Sequence, residues 1–225
     1  MDIVRSWTYV FDDPDWVNKV VITAIITALS IALTPLFIGL LGWAALFGYL
    51  VELVRNVRLG VPNPMPRWDD FNRFLASGAN VLAAFIVYSL PTLVMGCISG
   101  IILPSLSNGV IGGGLTLIVS CCMFPILLVY NVIVLPLLAV GIGRYADDPR
   151  INAFFEFSFL LETMRQHMSQ VIQWWLGTIV AGIVFAIPLI GWVLMLALLI
   201  PVYGMLTGQL AVALLGDLKS KPKRR

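Results

Sequence analysis

The sequence predicts an all-α, polytopic integral membrane bundle of about six transmembrane helices arranged in three hairpins. Three observations predict it. The residues are 60% hydrophobic and only 12% charged, the apolar residues come in runs long enough to cross a bilayer, and all the basic residues fall on one side of the resulting layout. No polar linker rich in Pro, Gly or Ser divides the chain, so residues 1–225 read as a single transmembrane domain.

The first element is interfacial. Met1-Asp2-Ile3-Val4-Arg5-Ser6-Trp7 lacks the basic start, short apolar core and small-residue site of a secretory signal, so no cleavage is expected. Ile3, Trp7 and Val10 instead share one helical face. The same spacing recurs in Trp68, Phe71, Phe74 and Leu75, and again in Phe154, Phe157, Leu161, Met164 and Met168. Each stretch precedes a hairpin, and each is expected to form a cytoplasmic amphipathic helix in the headgroup layer.

The spans follow from length. A helix needs roughly 20 apolar residues to cross about 30 Å of hydrocarbon. Apolar runs cover 20–54, 81–103, 110–142 and 171–215, and the first and last are too long for one crossing. Each of those two contains a proline followed closely by Ile-Gly: Pro35-Leu36-Phe37-Ile38-Gly39 and Pro188-Leu189-Ile190-Gly191. Proline removes a helical hydrogen bond and glycine permits reversal, so a tight turn is expected at both. The spans then lie near 20–34, 38–54, 81–103, 110–142, 171–187 and 192–215. The first rises only about 22 Å at 1.5 Å per residue, so it is either extended through residues 16–19 or set in thinned membrane. A single bent helix there would leave five spans.

Charge decides between five and six. The basic residues are Arg5 and Lys19; Arg55, Arg58, Arg67 and Arg73; Arg144, Arg150 and Arg165; and Lys219, Lys221, Lys223, Arg224 and Arg225. Six spans place them all on one face, which the positive-inside rule makes cytoplasmic together with both termini. Five would put Arg5 and Lys19 outside. The acids lie in or beside the same segments, and the opposite turns are short and uncharged, which excludes a folded domain there. A net charge of +2 argues against a nucleic-acid partner. The basic tail at 217–225, through Lys219, Lys221, Lys223, Arg224 and Arg225, is expected to face anionic lipid, at about 1 kcal/mol per basic residue. It also serves as an orientation signal.

No catalytic, cofactor-binding or metal-ligating set is visible. Cys97, Cys121 and Cys122 lie inside apolar runs without ligand spacing and read as packed thiols. The acidic pairs Asp12-Asp13, Asp69-Asp70 and Asp147-Asp148 could cluster around a divalent cation. The preferred reading is that Asp13 and Asp148, each followed by proline, are helix caps. The lone histidine, His167, has no acid or nucleophile spacing around it and reads as a solvated or headgroup-facing side chain. Glu52, the acid nearest the membrane interior, is expected to pair with Arg55 three residues on. Tyr130 and Asn131, between Pro125 and Pro136, are the polar midspan residues to watch. Together with Pro91 and Pro201 they either line a cavity or mark kinks absorbed by packing. Gly112-Gly113-Gly114 has no strand or lysine that would make it a phosphate loop, and reads as a helix entry or close-packing surface.

Phe11-Asp12-Asp13-Pro14-Asp15-Trp16, the turn from Pro35 to Gly39, the helix end from Gly48 to Asn56, and Pro66-Arg67-Trp68-Asp69-Asp70-Phe71 together resemble an uncharacterised prokaryotic membrane family. It is catalogued as domain of unknown function four-zero-one-three. The likeness covers most of the chain and is looser from Ala153 to Met168. It implies a multi-pass helical protein of a prokaryotic inner (plasma) membrane, and carries no activity, cofactor or site residue to transfer. The expected function is a non-catalytic structural or accessory subunit, with the lipid bilayer and other membrane subunits as partners. The alternatives are a transporter or channel for a neutral or lipid-like solute, and a metal-dependent enzyme acting on lipid headgroups.

Overall fold

The computed structural model describes the backbone of residues 1–106 and 109–216, and the side chains of residues 1–100 and 118–216. Among the described residues every regular element is helical. The order is α1 (Arg5–Thr8), α2 (Trp16–Leu33), α3 (Gly39–Arg58), α4 (Phe71–Leu106), α5 (Gly109–Tyr145), α6 (Phe157–Gln166), α7 (Met168–Phe185) and α8 (Ile190–Leu215). Six of them, α2, α3, α4, α5, α7 and α8, are long and apolar enough to cross a membrane. The chain is built as a multi-pass membrane protein.

Small residues decide which helices lie innermost. In α8, Gly204 packs on the Leu53 side chain of α3, and a Cβ on Gly208 would stand 2.8 Å from Cβ of Val57. Gly48 of α3 and Gly78 of α4 approach each other's helices so closely that a Cβ on either would meet backbone, at the carbonyls of Phe74 and Ala44. Close approach of this kind is the main source of helix association where lipid removes the hydrophobic drive. As a result half of the most apolar window of α3 and of α8 is buried, against 6% for α5.

Both proline breaks are turns, but the glycines do a different job from the one expected. The residues with positive φ in these two turns are Phe37 (60°) and Leu189 (65°). Gly39 and Gly191 instead sit inside α3 and α8, where a Cβ would strike the backbone of the preceding helix at Ser30 and Val184. The bulky residues hold a left-handed or strained conformation at a cost of order 1–3 kcal/mol, while glycine permits the helices to close up behind them.

α2 does include residues 16–19, giving it about 27 Å of rise. The three amphipathic stretches depart from the single helices expected of them. Phe71, Phe74 and Leu75 are not a separate interfacial helix but the first turns of α4, because the Asp70 carboxylate accepts the backbone N–H of Arg73 at 3.1 Å and so starts the helix there. The third stretch is broken into a 3-10 turn (Ile151–Phe154), α6 and the start of α7. The first is α1 followed by a 3-10 turn (Tyr9–Asp12), with Val10 fully buried and Val4 and Phe11 exposed.

Candidate functional site

The polar chemistry gathers at one end of the bundle, where the C-terminal ends of α3, α5 and α8 meet around Arg58. This side chain is fully buried. One guanidinium nitrogen donates to the Gly143 carbonyl at 2.7 Å and the other to the Gly216 carbonyl at 3.0 Å, and the Asp147 carboxylate lies at 2.9 Å. Carbonyls in the last turn of a helix have no intrahelical donor and carry the negative end of its dipole. One planar cation therefore satisfies two helix ends and a carboxylate from a third position. Its Nε has no partner among the described residues.

A second buried ion pair anchors the start of α2. The Lys19 ammonium donates to Asp13 at 2.6 Å and to the Met65 carbonyl at 2.9 Å. Asp13 also accepts the backbone N–H of Asp15 at 2.9 Å. Asp13 was expected to act only as a cap, and the ion pair is the larger part of its role. The N-cap position of the turn after Asp148 is Arg150 rather than Asp148. The Asp148 carboxylate takes the Arg150 guanidinium, and that hydrogen bond and charge raise the Arg150 pKa further above its ordinary value. The side chain that does cap a helix is Asp70. Asp13, Asp70 and Asp148 thus have separate partners, and no group of three or more His, Cys, Asp or Glu among the described residues is placed to hold a metal.

The N-terminal segment lies across α7 and α8. Backbone N–H and C=O of Asp2 exchange hydrogen bonds with the Gln209 amide at 2.8 and 3.1 Å, Gln209 also donates to Ser6 at 3.2 Å, and the Met1 ammonium donates to Gln173 at 2.9 Å. The Tyr9 hydroxyl donates to the Pro201 carbonyl at 3.0 Å. Burial pushes the Tyr9 phenol well above its ordinary value, and the negative charge of Asp13 adds to this. Between this segment, the end of α3 and the last turns of α8 is a cavity of about 490 Å³.

The remaining candidates are tied into packing. Glu52 pairs with Arg55 at 3.9 Å, as expected, and more closely with Arg73 of α4 at 2.9 Å. Asn131 donates to Thr92 at 3.3 Å and to the Leu127 carbonyl at 2.8 Å, and Tyr130 donates to the Tyr88 carbonyl at 2.7 Å, so both join α5 to α4 or to its own turn. α5 runs through Pro125 and Pro136, and α8 through Pro201. His167 closes α6, with Nδ1 3.1 Å from the Thr163 carbonyl. Cys97, Cys121 and Cys122 are exposed on the apolar surface rather than packed inside. Gly112 to Gly114 lie in the opening turns of α5. Lys219, Lys221, Lys223, Arg224 and Arg225 lie outside the described residues.

Sequence reasoning missed Arg58, because nothing in Arg55-Asn56-Val57-Arg58 says which arginine turns inward. It also missed a difference among the glycines. Gly96 and Gly100 of α4, four residues apart, have nothing among the described residues within 4 Å of where a Cβ would stand. Gly182 of α7 is also open but lacks a second glycine at that spacing.

A family model described as "Protein of unknown function (DUF4013)" matches residues 28–199. No curated protein and no solved structure matches the chain.

Proposed function

The chain belongs to this family, whose description assigns no activity, and we propose that it is a non-catalytic structural subunit that docks another integral membrane protein through the outer halves of α4 and α5. The observation that carries this reading is a length mismatch. α4 has 36 residues and α5 has 37, so each rises about 54 Å against a hydrocarbon layer of about 30 Å. Even a steep tilt of about 40° leaves a surplus on the order of 15 Å. No charged residue lies between Arg73 and Arg144, and side chains such as Leu93, Val94, Phe124 and Ile126 are exposed. The first turns of α4 account for its surplus by packing on α3, so it is the uncharged surplus of α5 that calls for protein to cover it.

The glycines support the same surface. Gly48, Gly78, Gly204 and Gly208 are filled by neighbouring helices of this chain, whereas Gly96 and Gly100 carry the same small-residue spacing and meet none of the described residues. Both termini are cytoplasmic in this reading, in a prokaryotic plasma membrane, with the spans paired as three hairpins. The shared site of the α3, α5 and α8 C-terminal ends at Arg58 favours that layout.

The test is mild detergent extraction from native membrane followed by identification of co-purifying chains. A stoichiometric membrane partner that is lost in the Gly96→Leu, Gly100→Leu double variant supports the proposal. Purification as a lone chain, with solute flux in liposomes, would overturn it in favour of a transporter.

A further inference from the structure

The cavity beneath the N-terminal segment has a wall pattern that the subunit reading does not use. Its volume of about 490 Å³ falls within the roughly 300–1,000 Å³ of small-molecule sites. Val57 of α3 and Met205 and Val212 of α8 give it an apolar side. The opposite side is one face of the N-terminal segment: Asp2, Arg5, Tyr9 and Asp12 recur at helical spacing and all line the cavity.

The polar atoms on that face divide into two sets. The Gln209 amide, the Asp2 backbone and the Tyr9 hydroxyl hold the segment in place, and the Asp2 carboxylate accepts the backbone N–H of Arg5 at 3.0 Å. The Arg5 guanidinium and the Asp12 carboxylate make no side-chain hydrogen bond or ion pair among the described residues. The outer side of the segment carries Val4 and Phe11, 71% and 56% exposed, which suits a position against lipid rather than in water.

We propose that this cavity binds a phospholipid with a primary-amine headgroup: the phosphate on Arg5, the ammonium on the Asp12 carboxylate, and an acyl chain along Val57, Met205 and Val212. A guanidinium fork matches phosphate oxygens in two parallel bonds. The Asp12 carboxylate, two turns further along the same face, suits an ammonium that can donate hydrogen bonds. A choline headgroup lacks those donors and is held by cages of several aromatic rings, and Tyr9 is the single ring on this lining. A net-anionic headgroup meets two carboxylates, while the Met1 ammonium beside them is already engaged with Gln173.

The proposal does not depend on the subunit reading, and its test uses the purified full chain in detergent. Native mass spectrometry or calorimetry would follow titration with short-chain phosphatidylethanolamine, phosphatidylcholine, phosphatidylglycerol and free O-phosphoethanolamine. One ethanolamine lipid per chain is expected, bound on the order of tenfold more tightly than the other two lipids, the effect of one charge-assisted hydrogen bond. Arg5→Ala is expected to weaken it by about the same factor, and Asp12→Asn to erase the preference over choline. Both side chains are exposed, and unchanged melting of the variants separates lost binding from lost folding. Equal binding of the choline or glycerol lipid, or no effect of Arg5→Ala, would sink the site. Free O-phosphoethanolamine binding as tightly as the lipid would overturn the membrane source of the ligand.

Discussion

Arg58 shows how a single buried charge can organise a polar end without catalysing anything. Its removal takes a buried cation away from Asp147 and from the carbonyls of Gly143 and Gly216. Arg58→Ala is therefore expected to destabilise the protein by about 3–5 kcal/mol, read from unfolding in mixed micelles. Arg58→Lys should recover only part, since one ammonium cannot reproduce the planar fork. Tyr9 gives a pH signature at the same scale. Its phenol is held protonated by burial, above the ordinary value of 10.0. Above that pH the unfolded chain binds fewer protons than the folded one, so this group's contribution to stability is flat below pH 10.0 and falls as pH rises from there. Tyr9→Phe should make the alkaline fall shallower while costing about 1 kcal/mol at neutral pH for the lost bond to Pro201. An unchanged alkaline slope in the variant would assign the fall to other groups. Neither role was legible in the sequence, because burial of one arginine or one tyrosine depends on which helix face turns inward.

At the scale of elements, hydropathy located the six long helices well and their ends less well. The Pro35 and Pro188 breaks were visible as turns, yet the sequence pattern assigned the reversal to glycine, whereas the backbone places it on Phe37 and Leu189. Periodicity marked Phe71, Phe74 and Leu75 as amphipathic but could not say that Asp70 would fuse them to the following span. The glycines of α4 give a paired prediction. Gly78→Ala must drive α3 and α4 apart at the Ala44 carbonyl and should cost about 1–3 kcal/mol, as overpacking does. Gly96→Ala meets none of the described residues and should stay within about 0.5 kcal/mol. Thermal melts of the two variants side by side would check this, and equal losses would refute the packing account.

For the whole molecule, topology is the testable quantity. On the proposed layout, which puts both termini inside, a membrane-impermeant amine reagent applied to intact cells should leave Lys219, Lys221 and Lys223 unmodified until the membrane is permeabilised. Modification of these lysines in sealed cells would reverse the layout and with it the cytoplasmic placing of Arg58 and of the cavity. The sequence by itself determined the membrane class, the number of long apolar helices and the segregation of charge, because lipid sorts side chains by polarity alone and that property is written residue by residue. Tertiary structure alone decided which arginine is buried, which glycines are filled and which stand open, and that residues as distant as Asp2, Val57 and Gln209 share one cavity. Those outcomes depend on helix rotation and crossing, which are set by the fit of many side chains at once and leave no local mark in the chain.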